Sequence, residues 1–202
     1  TADNHVGEDN ESLLTFRIEE GKKVLIKRIA FAGNTVFDRG ELMGMIDTKQ
    51  KWFLSWITGR GNYNEMLLQQ DMGRIEDAYA NKGYVKAKVR EPVISLVEDS
   101  RYMLILITID EGDQYMVGQV GAQGDLLQPE EEILEKMPLK PGDVFSRKLL
   151  RQGVESITDL YADQGYAYAN VAPLTRTIEE NRRIDVNLEI EPKTLTLVMG
   201  PS

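Results

Sequence analysis

Apolar residues along this chain follow a few simple rhythms, and each rhythm occurs twice. Val24 and Ile26, then Ile29 and Phe31, alternate with one slip of phase, as do Tyr115 and Val117, then Val120 and Ala122. Alternation is the period of a half-buried strand, and a single slip predicts a strand with a bulge. Gly33-Asn34 and Gly124-Asp125 follow, turn pairs that tolerate positive φ. A short helix is predicted after each turn, over 39–46 and 129–136. In the second, Pro129 suits the first turn, and Glu130, Glu131 and Glu132 sit near the positive end of the helix dipole.

Longer helices come next. Leu68, Met72, Ile75 and Tyr79 fall at i, i+4, i+7 and i+11 on one stripe, with Gly83 where a left-handed terminator belongs, so a helix is predicted over 64–82. Its twin is predicted over 146–164, with Ser146 placed to cap it. Extended stretches follow at 85–98 and 167–179, each with an internal proline, Pro92 and Pro173. A residue without an amide hydrogen marks an edge strand or a bulged one. Polar turns at 98–101 and 179–182 then lead into the last strands. There Ile184, Val186, Leu188 and Ile190 alternate with Arg183, Asp185, Asn187 and Glu189, the pattern of one buried and one wet face. Met103, Ile105, Ile107 and Ile109 match the buried set, but Leu104 and Leu106 stand where the later strand has Asp185 and Asn187.

The duplication is direct: Leu68, Ile75, Tyr79, Gly83 and Tyr84 return 82 positions on as Leu150, Ile157, Tyr161, Gly165 and Tyr166. Upstream the offset is 91, so the first copy carries an insertion, read as a loop from Lys51 to Asn62. The order β-α-α-β-β predicts an α+β protein of tandem domains. Each is a three-stranded mixed sheet with two helices on one face and the proline-bearing strand outermost. Residues 22–113 and 114–193 are expected to be the two complete copies. Residues 1–21, where Leu14, Phe16 and Ile18 alternate and Glu20-Gly21 follows, are expected to be the C-terminal hairpin remnant of a preceding copy, and 194–202 a tail or the start of a further one.

Composition narrows the class of function. The chain has no cysteine and one histidine, His5, in a polar stretch, which leaves neither a disulfide framework nor the makings of a nucleophilic triad or a zinc cluster. Glu76-Asp77 and Glu130-Glu131 read as solvated helix faces, and Gly59-Arg60-Gly61-Asn62 lacks the lysine and the context of a phosphate loop. No enzymatic activity, catalytic residue, cofactor or metal is expected. Residues 22–113 hold 14 basic and 13 acidic side chains and 114–193 hold 9 and 14, whereas a phosphate-backbone partner needs a dense basic face. No nucleic-acid partner is expected, although an RNA-binding α/β module is the alternative from another class. No apolar run approaches the roughly 20 residues a membrane helix requires.

The recurring residues carry a family resemblance. Phe31-Ala32-Gly33-Asn34 follows the first strand, Ala78-Tyr79-Ala80-Asn81-Lys82-Gly83-Tyr84 and Leu160-Tyr161-Ala162-Asp163-Gln164-Gly165-Tyr166 end the long helices, and Ile109-Asp110-Glu111-Gly112 closes the unit. Together these resemble POTRA (polypeptide-transport-associated) domains of BamA-type outer-membrane protein assembly factors, over about 22–191. The second copy departs at Gln123-Gly124-Asp125 and at Glu191-Pro192. The resemblance implies a periplasmic location, attached to the outer membrane through a C-terminal membrane barrel outside this chain. It also implies that the domains guide unfolded outer-membrane β-barrel proteins and dock accessory lipoproteins. A POTRA module of a two-partner secretion transporter or of a septal protein is the alternative within the resemblance.

An edge strand offers unpaired N–H and C=O groups to a visiting extended peptide and needs no catalytic residue. The expected acceptors are Val85, Lys86, Ala87, Lys88 and Val89 in the first copy and Ala167, Tyr168, Ala169, Asn170 and Val171 in the second. The alternative is a plain edge kept soluble by Lys86, Lys88 and Arg90. Leu104 and Leu106, apolar on a face expected to be wet, are a candidate accessory-protein surface, or are covered by a neighbouring domain or the N-terminal strand. Trp52, Phe53 and Trp56 in the insertion either pin that loop to its own helices or anchor an accessory protein.

Overall fold

The computed structural model describes residues 24–50, 63–97 and 101–192, and the backbone of two strands nearer the N-terminus. Those strands, β1 (Ala2–Val6) and β2 (Ser12–Phe16), pair antiparallel with Ala2 opposite Phe16. The first copy then runs β3 (Leu25–Ala32), α1 (Arg39–Met45), α2 (Glu65–Asn81), β4 (Lys88–Val89), β5 (Val93–Val97) and β6 (Tyr102–Asp110). The second runs β7 (Met116–Gly124), α3 (Glu130–Glu135), α4 (Arg147–Asp163), β8 (Asn170–Ile178), one 3-10 turn (Glu179–Asn181) and β9 (Arg183–Glu191). In each, the first strand lies parallel to the last and the hairpin strands lie antiparallel to it, giving two mixed sheets.

Both bulges are present where the apolar phase slips. The first strand carries one residue more than its partner between Ile26 and Arg28 and again between Val117 and Val120. The extra residue turns Ile26 and Ile29 to the same buried side despite their odd spacing. Each long helix is capped by the residue before it: the Asn64 side chain accepts from the Leu67 amide at 3.1 Å and the Ser146 hydroxyl from the Leu149 amide at 3.3 Å. Pro129 is the N-cap of α3 itself rather than its first turn, so the glutamates fill that turn alone. The cores are continuous: Ile26, Leu42, Ile75, Tyr79, Ile105 and Ile107 pack in the first copy, and Val117, Ile133, Ile157, Tyr161, Leu188 and Ile190 in the second.

One expected element divides. The stretch over 85–98 forms two strands, because pairing with β6 shifts by one residue between Val89, opposite Ile109, and Val93, opposite Leu106. Pro92 lies in the break, so the first sheet has four strands rather than three. Its counterpart β8 pairs without interruption over nine residues, with Pro173 opposite Leu188.

The closing Glu-Gly of the first copy proves to be a latch. The Glu111 carboxylate accepts from the Thr35 amide at 2.6 Å, the Val36 amide at 2.8 Å, the Thr35 hydroxyl and the Tyr79 hydroxyl at 2.7 Å. It thereby ties the end of β6 to the β3–α1 turn and to α2. Gly33 permits the approach, since a Cβ there would lie 2.2 Å from the Ile109 carbonyl oxygen. Burial disfavours the Glu111 charge, but the hydrogen bonds from Thr35, Val36 and Tyr79 outweigh it and hold its pKa below the ordinary glutamate value. Burial and the bond to Glu111 push the Tyr79 hydroxyl well above an ordinary tyrosine. In the second copy Tyr161 has no such carboxylate among its recorded bonds; its hydroxyl accepts from the Leu127 amide at 3.3 Å.

A second clamp distinguishes the copies. Asp71, fully buried on α2, accepts from the amides of Asp47 and Thr48, each at 2.8 Å, and from Arg74 at 2.8 Å. At the matching place in α4 stands Gly153, where a Cβ would lie 2.3 Å from the Met137 sulfur. One copy holds the chain after its short helix by a carboxylate, the other by close packing.

Replacing Glu111 by alanine is expected to lower stability by about 1–2 kcal/mol, the value of charge-assisted hydrogen bonds at a half-exposed site, read by urea unfolding. Because its pKa is depressed on folding, Glu111 contributes in full above its unfolded value of about 4.3 and progressively less as pH falls through the lower folded value. The parent protein should therefore lose stability, as pH falls below about 5, that Glu111→Ala does not lose.

Candidate functional site

A sheet rim is available to a partner only if its own chain leaves it open. On the β3 rim one group is engaged: the Ile29 carbonyl accepts from Arg39 and from Gln50, each at 3.3 Å. The β7 rim is closed over a longer stretch. There the Ala122 amide donates to Glu130 at 2.9 Å, the Val117 amide to the Asp143 carbonyl at 2.7 Å and the Phe145 amide to the Tyr115 carbonyl at 3.0 Å.

The opposite rims differ from these. β5 pairs with β6 alone. It has no charged residue, and Val93 is 58% exposed, Leu96 53% and Ile94 39%. Val93 lies across from Leu106 and Leu96 from Met103, so these residues point to opposite sheet faces, and among the described residues neither face of β5 is covered. β8 is likewise paired on one side only. It is blunted by Pro173 and carries Arg176, which pairs with Asp185 at 3.0 Å.

The residues expected to receive a partner strand are placed differently from that expectation. Val85, Lys86 and Ala87 form a turn, as do Ala167, Tyr168 and Ala169, closed by Ala87 donating to Tyr84 at 3.1 Å and Ala169 to Tyr166 at 3.0 Å. Lys88 and Val89 make up β4, but the Val89 amide is taken by Glu76 at 2.9 Å. Asn170 and Val171 begin β8. Edge geometry in the first copy is therefore found at 93–97 and in the two residues of β4, and not at 85–87. Leu104 is half-buried and Leu106 exposed on the helix-free face. Trp52, Phe53 and Trp56 lie outside the described residues.

Val85 and Lys86 are occupied because the two copies meet there. Val85 packs against the second core, and the Lys86 ammonium meets Glu179 at 2.5 Å, 5.7 Å from the centre of the Tyr115 ring. Tyr115 donates its amide to the Gly83 carbonyl at 2.9 Å and its hydroxyl to Glu179 at 2.6 Å. Arg147 and Lys148 open α4 with cations at the positive end of its dipole, an unfavourable choice in isolation. Asp77 of α2 pairs with Arg147 at 2.6 Å, and the Asn81 side chain accepts from the Lys148 amide at 2.8 Å, capping a helix of the other copy. The bonds from Lys86 and Tyr115 hold Glu179 below the ordinary glutamate range, and the bond to Glu179 raises Lys86.

The helix-free faces of the two sheets are chemically opposed. In the first, Arg28, Leu104 and Ser95 form one row across the strands and Ala30, Leu106 and Val93 the next. In the second, Asp185 pairs with Arg176 and also accepts from the Gln119 amide at 2.8 Å, while Asn187 stands beside Gly121 and Leu174. One face is apolar with a cation, the other polar and internally neutralised.

A family model for POTRA, described as surface antigen variable number repeat, matches residues 24–112 and again 115–193. The chain is 29% identical over 184 residues to outer membrane protein assembly factor BamA of Nitratidesulfovibrio vulgaris, covering 89% of this chain and 23% of that protein. It is 30% identical over 176 residues to BamA of Neisseria meningitidis serogroup B, covering 87% and 22%. The chain thus spans less than a quarter of the length of these curated relatives. Among solved structures, Haemophilus influenzae BamA POTRA3-5 matches with a TM-score of 0.65 at 20% identity, over 85% of this chain and 67% of that one. POTRA1-2 of the periplasmic domain of Omp85 from Anabaena matches with a TM-score of 0.53 at 16% identity, over 86% and 98%. At these identities the structural likeness concerns the fold.

The joint has its own test. A Cβ on Gly83, at φ +86°, would lie 2.8 Å from the Tyr115 carbonyl oxygen and 2.9 Å from Val144, whereas nothing lies within 4 Å of the Cβ position of Gly165, at φ +95°. Gly83→Val is expected to raise the radius of gyration in small-angle scattering, while Gly165→Val, which suffers only backbone strain, leaves it unchanged.

Proposed function

The chain belongs to the POTRA family, and from that premise we propose that it is a periplasmic scaffold that receives unfolded outer-membrane β-barrel precursors by strand addition and docks accessory lipoproteins during assembly. The relatives it matches are named outer membrane protein assembly factors, and a membrane barrel outside this chain completes the proposed arrangement. No helix among the described residues is long and apolar enough to cross a membrane.

The observation that carries the reading is β5: five residues, Val-Ile-Ser-Leu-Val, paired on one side, uncharged and exposed on both faces. A long apolar edge of this kind is a liability that soluble proteins ordinarily blunt with a charge or a proline, and the β8 edge has both. Main-chain pairing also tolerates many client sequences, which suits a site that handles varied precursors. At about 1 kcal/mol net per hydrogen bond, a strand of five residues binds weakly once the cost of association is subtracted. A dissociation constant of about 1 mM or weaker follows from main-chain pairing alone, weak enough for a client to be passed on. β8, with Asn170 and Val171 at its start, is the second and weaker acceptor in this proposal.

A synthetic peptide copying one strand of an outer-membrane barrel, titrated into the labelled protein, is expected to shift the backbone amides of 93–97. Leu96→Lys should weaken its binding about tenfold or more by placing a charge on the edge. An unperturbed β5 under saturating peptide would remove the basis of the reading.

A further inference from the structure

We propose that the helix-free face of the first sheet is a docking site for one amphipathic helix of a partner protein, apolar on the side that meets the sheet and bearing carboxylates at one margin. The proposal rests on the reading that this chain gathers protein partners, but it concerns the side-chain face of the sheet and not the backbone rim of β5. Its starting point is β6. Met103, Leu104, Ile105, Leu106 and Ile107 form an unbroken apolar run, the composition of a strand covered on both faces. The inner members, Met103, Ile105 and Ile107, are buried under the helices. The outer members, Leu104 and Leu106, have no element over them among the described residues and line a shallow groove bounded by Arg28, Ala30, Val93 and Ser95. The corresponding strand β9 alternates strictly, as a strand with one wet face should. The first sheet thus has the side chains of a middle layer.

Charge selects the partner. Arg28 is exposed, stands directly beside Leu104 in the register, and makes no ion pair or hydrogen bond among the described residues. The neighbouring groove past Leu104 and Val97 is bordered by Lys27, Arg28 and Arg39, and no described acidic residue lines it. On the second sheet, by contrast, the row holding Asp185 is neutralised by Arg176. An unpaired guanidinium at the margin of an apolar face calls for a carboxylate on the incoming surface.

Spacing favours a helix as the form of that surface. Leu104 and Leu106 are two residues apart on a strand, about 6.8 Å, and residues four apart on a helix are about 6.0 Å apart along its axis. A bilayer is disfavoured because Leu104 is half-buried in the groove floor, whereas insertion into lipid requires apolar side chains that project.

The test uses the whole two-copy protein, labelled for amide spectroscopy, and two synthetic helical peptides with leucines at i, i+4 and i+7, one flanked by glutamates and the other by lysines. The acidic peptide is expected to bind at least tenfold more tightly, to shift the amides of Arg28, Ala30, Leu104 and Leu106, and to be rejected in favour of the basic peptide by Arg28→Glu, an exposed change that leaves the fold intact. Leu104→Asp should abolish binding of both peptides with an unchanged circular dichroism spectrum, and Leu96→Lys, which blocks strand addition, should leave it unaffected. Equal affinity for the two peptides, shifts confined to 93–97, or perturbation of this face by phosphatidylglycerol vesicles but by neither peptide would each overturn the proposal. Failure of the unsubstituted protein to bind a barrel strand, with helix binding retained, would instead count against strand addition alone.

Discussion

Backbone groups at a sheet rim must find partners in the protein, in water or in another chain, and this requirement organises both copies. The strand that precedes the helical crossover in each copy is met in part by the chain's own groups: Arg39 and Gln50 at Ile29, Glu130 and the Asp143 and Tyr115 backbones along β7. Among the described residues the hairpin strand on the far side is paired on one side only. The helices then fix which face of the sheet is dry, and the bulges let an odd apolar spacing serve that face. Edge, face and core are in this sense set by one decision about which rim the chain closes.

The two copies share this plan and differ in how they secure it. Glu111 and Asp71 hold the first through carboxylates that collect backbone amides. The second uses Gly153 against Met137 and a single bond to the Tyr161 hydroxyl. Surfaces diverge further, with an apolar, cation-bearing sheet face in one and a polar, self-paired face in the other. Duplication supplied the fold, and the exposed positions, free of the core's constraints, took separate roles.

Much of this was legible in the sequence because it is local. The 3.6-residue stripe of α2, the phase slips of β3 and β7, Ser146 as a cap and Gly83 as a terminator each depend on residues within a turn or two of one another. What escaped the sequence depends on distant encounters. Val85 and Lys86 look like edge residues until Glu179, 93 positions away from Lys86, is brought beside them. Glu111 was visible as part of a motif, but its work requires Thr35 and Val36, 76 and 75 positions away. The break between β4 and β5 had a local signal in Pro92, yet the same residue type at Pro173 leaves β8 whole, so proline alone could not decide the matter.

The pairing of α2 with α4 across the joint has a sense of direction. Asp77 and Asn81 lie at the end of the earlier helix and Arg147 and Lys148 at the start of the later one. Were the copies exchanged in order, the equivalent positions would bring Asp159 towards Glu65, repulsion in place of the Asp77–Arg147 attraction, whereas Asp163 could still accept from the Met66 amide. Succession along the array is thus written into the contact itself, and shuffling such modules by recombination would yield neighbours that no longer fit.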